Sequence, residues 1–203
     1  MSKLNKDVLF LILAELQNDR KSLYSCLFVN RTWCKTTVPI LWKDPLKLCP
    51  SDNKKILFDV ILLHLPEESR DILKNHEIDL FAKLHQHPLF NYISFWRYLN
   101  LSILENMIIS LKSKTPIIRS EILKLLINEN TKLTHIYMDI PLLNNVSFQL
   151  TMGAEHCFSE LKSLLSNGTS SQNVLEGLAG IKKMDFQVSS TNISGIIKSK
   201  KIK

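Results

Sequence analysis

The row VLFLILA, Val8 to Ala14, constrains this chain more than any other stretch. Seven apolar residues stand unbroken between Asp7 and Glu15. Asn5 is placed to cap a helix there, and Asp7 falls in its first turn, where a negative charge faces unpaired N–H groups. The pattern predicts a helix from Asn5 or Lys6 to about Gln17. A core-facing helix buries about three positions in seven. This one carries a surplus of about three or four large side chains, or roughly 5–10 kcal/mol of burial. That is comparable to the stability of a whole domain. An apolar face left in water also invites aggregation. A second surface must cover it, either the later apolar helices of this chain or another polypeptide.

The row is too short for a membrane span, which needs about 20 apolar residues, and no later stretch reaches that length. Glu15 and QNDRK stand where a signal peptide would have its small-residue cleavage site. The expectation is an intracellular protein, cytoplasmic or nuclear, with no membrane partner. Cys26, Cys34, Cys49 and Cys157 form no Cys-x-x-Cys pair and read as reduced thiols. Sequons begin at Asn30, Asn100, Asn145, Asn167 and Asn192; in such a compartment they reflect an Asn- and Ser-rich composition. Lys198, Lys200, Lys201 and Lys203 supply more than half of the formal charge of +7. They read as a solvated tail, with a nucleic-acid contact or nuclear address as the alternative.

Asp19 can cap a second helix carrying Leu23, Cys26 and Leu27, and a third, short helix holds Trp33. Pro39 and Pro45 bracket ILWKD, which excludes a long helix there. PLKLCPSDNKK reads as a linker, and Ser51 or Asp52 as the cap of the apolar helix that follows. Helical patterns continue through EESRDILKN, LFNYISFWRYL, SILENMIISL and PIIRSEILKLLIN, so residues 49–130 are expected to be a helical connecting region. Within it Leu89, Tyr92, Phe95, Trp96 and Leu99 share one helical face, a packing stripe rather than a platform for stacking nucleotide bases.

After Thr131 the texture changes. LTHIYMD alternates like a strand, LKSLLSN follows at Leu161, and IKKMDFQ at Ile181 repeats the offsets of Leu133, Ile136 and Met138. SQNVLEGLAG and NISGIIKSK read as short helices after the second and third strands. These starts, 28 and 20 residues apart, fall in the range of leucine-rich repeats, although Ser166 stands where an apolar residue should point inward. The alternative is a small α/β region without repeats. The fold class is therefore mainly α, with a C-terminal α/β part over 131–203 that ends in the basic tail.

Taken together, LNKDVLFLILAEL, KSLYSCLFVNRTW and LW resemble the F-box family. The places of that pattern are held by Leu4, Asp7, Val8, Leu9, Ile12, Leu13, Leu16, Leu23, Val29, Arg31, Trp33, Leu41 and Trp42. Asn5 stands where the family usually has Pro, Asp7 where Glu is commoner, and Asn30 where Cys or Ser is. The resemblance covers residues 1–48. It implies a three-helix module that docks on a Skp-type adaptor, and through it on a cullin and the ubiquitin-conjugating machinery. It also implies adaptor contact for Leu4, Val8, Leu9, Ile12, Leu13, Leu16, Val29, Leu41 and Trp42, with Leu23, Leu27 and Trp33 in the module's own core. An F-box followed by leucine-rich repeats is a known arrangement, so the C-terminal segment would present a target protein. The mechanism implied is proximity, the receptor raising the effective concentration of a target lysine near the loaded conjugating enzyme. Two alternatives stay open: an adaptor-binding competitor without a working target surface, and an interaction scaffold that never meets a ligase.

No catalytic constellation appears. Glu67 and Glu68 beside Ser69 form a helix-start pattern. His85 and His87 lack a nearby third ligand apart from His76, so no metal is expected. His156 and Cys157 are adjacent, which prevents their side chains from facing each other as base and nucleophile. The five glycines form no phosphate-binding loop. The sequence thus predicts a non-enzymatic chain without cofactors.

Overall fold

The structure is a computed structural model that describes residues 4–47, 54–78, 80–81, 87–111, 115–139, 153–167, 187–189 and 200–201. The chain is mostly helical with a small, largely parallel sheet. Helices α1 (Lys6–Glu15), α2 (Arg20–Cys26) and α3 (Arg31–Leu41) form an N-terminal unit. Each starts on a capping side chain. Asn5 Oδ1 accepts from the Asp7 N–H at 2.9 Å, and Asp19 accepts from both the N–H and the hydroxyl of Ser22. Those bonds hold the Asp19 carboxyl below its usual range, the Ser22 hydroxyl first among them. Asn30 accepts from Thr32 and Trp33. A further sequon asparagine, Asn100, caps the helix Leu101–Ile109 by accepting from Ile103 at 3.0 Å. Among the described residues, the sequon asparagines Asn30 and Asn100 thus serve as helix caps.

α3 runs through Pro39 but stops at Leu41, so ILWKD forms no long helix, as expected. Pro39 sits in the last turn, so the helix loses one N–H there and nothing downstream. The buried Thr36 and Thr37 hydroxyls bond to the carbonyls of Thr32 and Trp33. Leu9 and Leu13 of α1 meet Leu23 and Cys26 of α2 and Leu41 of α3, with Leu16, Leu27, Trp33, Ile40 and Trp42 packed around them.

Helices α4 (Lys54–Leu63), α5 (Glu67–Asn75), α6 (Leu101–Ile109) and α7 (Thr115–Leu126) follow. The expected cap of α4 lies outside the described residues. The expected helix over Leu89–Leu99 does not form. A 3₁₀ turn spans Tyr92–Phe95, and the chain then extends into β1, Tyr98–Asn100. β1 pairs in parallel with β2 (His135–Asp139), β2 with β3 (Ser163–Asn167), and β3 with β4 (Gln187–Ser189); β5 (Lys200–Lys201) closes the edge antiparallel. A short helix, α8 (Ala154–Cys157), precedes β3. Leu99, Ile136, Leu164 and Val188 stand side by side, at intervals of 37, 28 and 24 residues. Of the strand expected over IKKMDFQ, residues 181–186 lie outside the described residues; β4 begins at Gln187 and sets Val188 beside Leu164. Residues 168–186, including the helix expected over SQNVLEGLAG, lie outside the described residues, as does most of NISGIIKSK.

The strands begin alike. The carbonyl of Lys43 accepts from the N–H groups of Arg97 and Tyr98 (2.9 and 3.2 Å), that of Arg97 from Thr134 and His135 (2.7 and 3.0 Å), and that of Thr134 from Lys162 and Ser163 (2.8 and 3.2 Å). The residue before each carbonyl points inward: Trp96 and Leu133 are buried and Trp42 is half-buried. The residue two after it does too: Pro45, Leu99 and Ile136 are buried. The segment after α3 is therefore the first rung of the ladder. One apolar core runs from Leu46 to Leu164, so packing crosses the expected boundary at residue 130 without a break. Trp42 touches both this core and that of the N-terminal unit, its ring 4.3 Å from Tyr92.

Gly153, at φ +97°, starts α8 in a conformation that L side chains rarely adopt. A Cβ there would lie 2.5 Å from the backbone nitrogen of Glu129. Gly153→Ala is expected to destabilise the fold by about 2–3 kcal/mol, through both the strain and the clash with backbone. A lowered urea midpoint at unchanged m-value would register it.

Candidate functional site

The expected contact residues separate into two sets. Leu9 and Leu13, one turn apart on α1, are buried at 1% and 0% exposure. Leu41 is buried with them, while Leu16 and Trp42 are half-buried against the same side chains. Leu9, Leu13 and Leu41, expected at the adaptor contact, lie in the core of their own three-helix unit. Trp42 belongs to the joint between the two cores. Leu23 is buried, and Leu27 and Trp33 lie half-buried against it.

Leu4, Val8, Ile12 and Val29 are exposed. On α1, Val8, Phe10, Leu11 and Ile12 stand 43–64% exposed, leaving the helix apolar on its outer side as well as its inner one. Val8, Leu11 and Ile12 have the i, i+3, i+4 spacing of one helical face. Among the described residues the later helices do not wrap this face. They assemble instead around the second core. Tyr24 and Phe28 are also exposed, Phe28 at 87%. Sequence reasoning did not single them out. Their one signal was a place outside the Leu23, Cys26, Leu27 stripe of α2.

A second surface lies on the sheet face opposite Leu99, Ile136 and Leu164. The Tyr98 and His135 rings stack there, centroids 4.2 Å apart and 13° from parallel, and Lys43 Nζ lies 5.9 Å over Tyr98. His135 Nδ1 is 2.9 Å from the Thr134 hydroxyl. Burial draws the His135 pKa down, and Lys162 and Lys43 add to that while Asp44 opposes it. Burial raises the Asp44 carboxyl, which the Lys47 N–H and the charges of Lys47 and Arg20 partly offset. Among the described residues this is where aromatic rings and lysines meet in one row.

The groups that would carry chemistry are placed otherwise. Cys157 is buried, its sulfur accepting from the Thr131 hydroxyl at 3.1 Å, and burial pushes the thiol pKa up, away from a nucleophile's requirement. Ser69, expected in a helix-start pattern, reaches across from α5 to bond Glu121 of α7 at 2.7 Å. His85 lies outside the described residues. Among the described residues no three metal-capable side chains converge, and no helix is long and apolar enough to cross a membrane. No family model, curated protein or solved structure matches this chain.

Proposed function

We infer that the chain is a non-catalytic substrate-receptor subunit of a Skp-cullin-F-box ubiquitin ligase. The observation that carries this reading is the outer face of α1. Val8, Phe10, Leu11 and Ile12 stay largely in water while the same helix has already filled its own core with Leu9 and Leu13. Four large apolar side chains on one short helix form the kind of patch that marks a protein-interaction site. Leu4, Phe28 and Val29 add exposed apolar surface to the same three-helix unit. A Skp adaptor, which shares a small core with F-box helices, is the occupant implied by the sequence resemblance.

The ladder of strands supports a target-presenting role for the rest of the chain. Trp96-x-x-Leu99-x-Leu101-x-x-Leu104, all four buried, has the spacing of a leucine-rich unit, and Leu133-x-x-Ile136 and Leu161-x-x-Leu164 repeat its first half. In this reading the Lys43 carbonyl, in the first rung, ties the adaptor-binding unit to the start of β1, so a target held on the sheet keeps a fixed distance from the adaptor.

The test is co-expression of the full chain with a Skp adaptor and purification through a tag on the adaptor. The wild type is expected to co-purify in equimolar amount. Val8→Asp with Ile12→Asp, which puts two charges on the exposed face, is expected to weaken binding by about a hundredfold or more while leaving the fold intact. Leu13→Asp is expected instead to unfold the N-terminal unit, because its site has no water. A wild-type chain that leaves the adaptor behind, or a folded double variant that still binds it, overturns the reading.

A further inference from the structure

Around the Tyr98–His135 stack, carboxylates and cations do not balance. Glu160 is bonded to Lys132 at 2.8 Å, and Asp44 accepts from the Lys47 N–H at 3.1 Å with Arg20 close by. Lys43, on the rung beside Tyr98, and Lys162, on the rung beside His135, have no ion-pair partner among the described residues. Arg97 directs its guanidinium to the Ser94 and Trp96 carbonyls. The row Lys43, Tyr98, His135, Lys162 thus carries two lysines outside any ion pair among the described residues, about one strand spacing to either side of the stack, the Glu160 carboxylate near Lys162 being already bonded to Lys132.

The aromatic pair itself narrows the partner. Tyr98 stacks on His135 and has the Lys43 ammonium 5.9 Å from its ring centroid, so the pair is already stacked and flanked by a cation. What the row offers outward is ammonium groups and ring edges, which suit carboxylates. Thr134 occupies His135 Nδ1, so Nε2 is the nitrogen left to answer a ligand.

We propose that this row, Lys43, Tyr98, His135 and Lys162, is the docking point for an acidic segment of a partner protein, carboxylates meeting the two lysines with His135 between them. The proposal deepens the receptor reading by giving the target's recognition element a chemistry. A bound carboxylate favours the protonated imidazole, so binding tightens as pH falls. The groups facing that imidazole are Lys43 and Asp44 from the first rung, Tyr98 of β1, Thr134 beside it and Lys162 from the next rung.

The experiment uses the full chain without adaptor and a fluorescent poly-glutamate peptide as probe, read by anisotropy. Lys198, Lys200, Lys201 and Lys203 are replaced by serine in every variant, so that the basic tail cannot supply the signal. Saturable binding is expected, about tenfold or more weaker in Lys43→Glu with Lys162→Glu and intermediate in the double glutamine variant. Binding is expected to strengthen between about pH 7.5 and about pH 5.5, and His135→Gln to remove that dependence. Val8→Asp with Ile12→Asp should leave peptide binding unchanged, so loss of adaptor binding and loss of peptide binding are separate failures. The proposal is overturned by no saturable binding, by equal binding in a charge-reversed variant with an unchanged circular dichroism spectrum, or by an oligothymidine probe that binds more tightly at the same lysines.

Discussion

Trp96→Ala is expected to remove about 3–5 kcal/mol of stability, a large part of what a domain of this size possesses. Trp96 has no exposed surface and fills the core at the first strand of the ladder, next to the half-buried Trp42 that joins the N-terminal unit. Truncation leaves a cavity under β1 that the flanking backbone cannot close, because the Arg97 carbonyl and N–H are both held in the ladder. Trp96 Nε1 is buried with no hydrogen-bond partner among the described residues. An unanswered buried donor costs about 1–3 kcal/mol. Trp96→Phe, which discards that donor along with part of the volume, should therefore cost much less than alanine, about 1–2 kcal/mol. Urea unfolding of the three proteins, at a common m-value, checks the order. Alanine and phenylalanine variants of equal stability would show that the buried donor has no cost here.

Arg119→Leu is expected to cost about 3–5 kcal/mol, and Glu105→Leu added to it to restore most of the loss. Arg119 of α7 donates from Nε to Glu105 Oε2 at 2.8 Å, and its second nitrogen reaches Oε1 of the same carboxylate. The Glu105 side chain is only 5% exposed, so removing the guanidinium strands a charge without water. With both groups apolar, α6 and α7 meet as ordinary hydrophobic surfaces. This fork raises the Arg119 pKa, chiefly through its hydrogen bond to Glu105, so the cation persists at every pH where the fold is studied. Thermal unfolding of the single and double variants in one buffer measures the contrast. A double variant as unstable as the single one would show that the pair positions the helices by more than charge balance.

Much of the local structure is legible in the residues. Asn5, Asp19 and Asn30 start their helices because an oxygen on a short side chain reaches the free N–H groups of the first turn. The strand at His135 follows from alternation, and that at Ser163 from the repeated Leu-x-x-Leu spacing of Leu161 and Leu164. β1 was hidden because Trp96 and Leu99, three apart, suit one face of a helix equally well, and nothing within that stretch shows that Lys43 and Thr134 wait on either side for its backbone. The buried sequence Trp96-x-x-Leu99-x-Leu101-x-x-Leu104 was nonetheless the clue, since an unbroken helix would have scattered those four around its axis.

The opening row shows the same division. By themselves the residues from Val8 to Ala14 determined a helix and a surplus of apolar area, because helix-forming side chains and their count are local properties. Only the tertiary structure decided that Leu9 and Leu13 go inward and Val8, Leu11 and Ile12 outward. An all-apolar helix carries no polar stripe to set its rotation, so its facing is chosen by where α2 and α3 lie, and that depends on contacts across the chain.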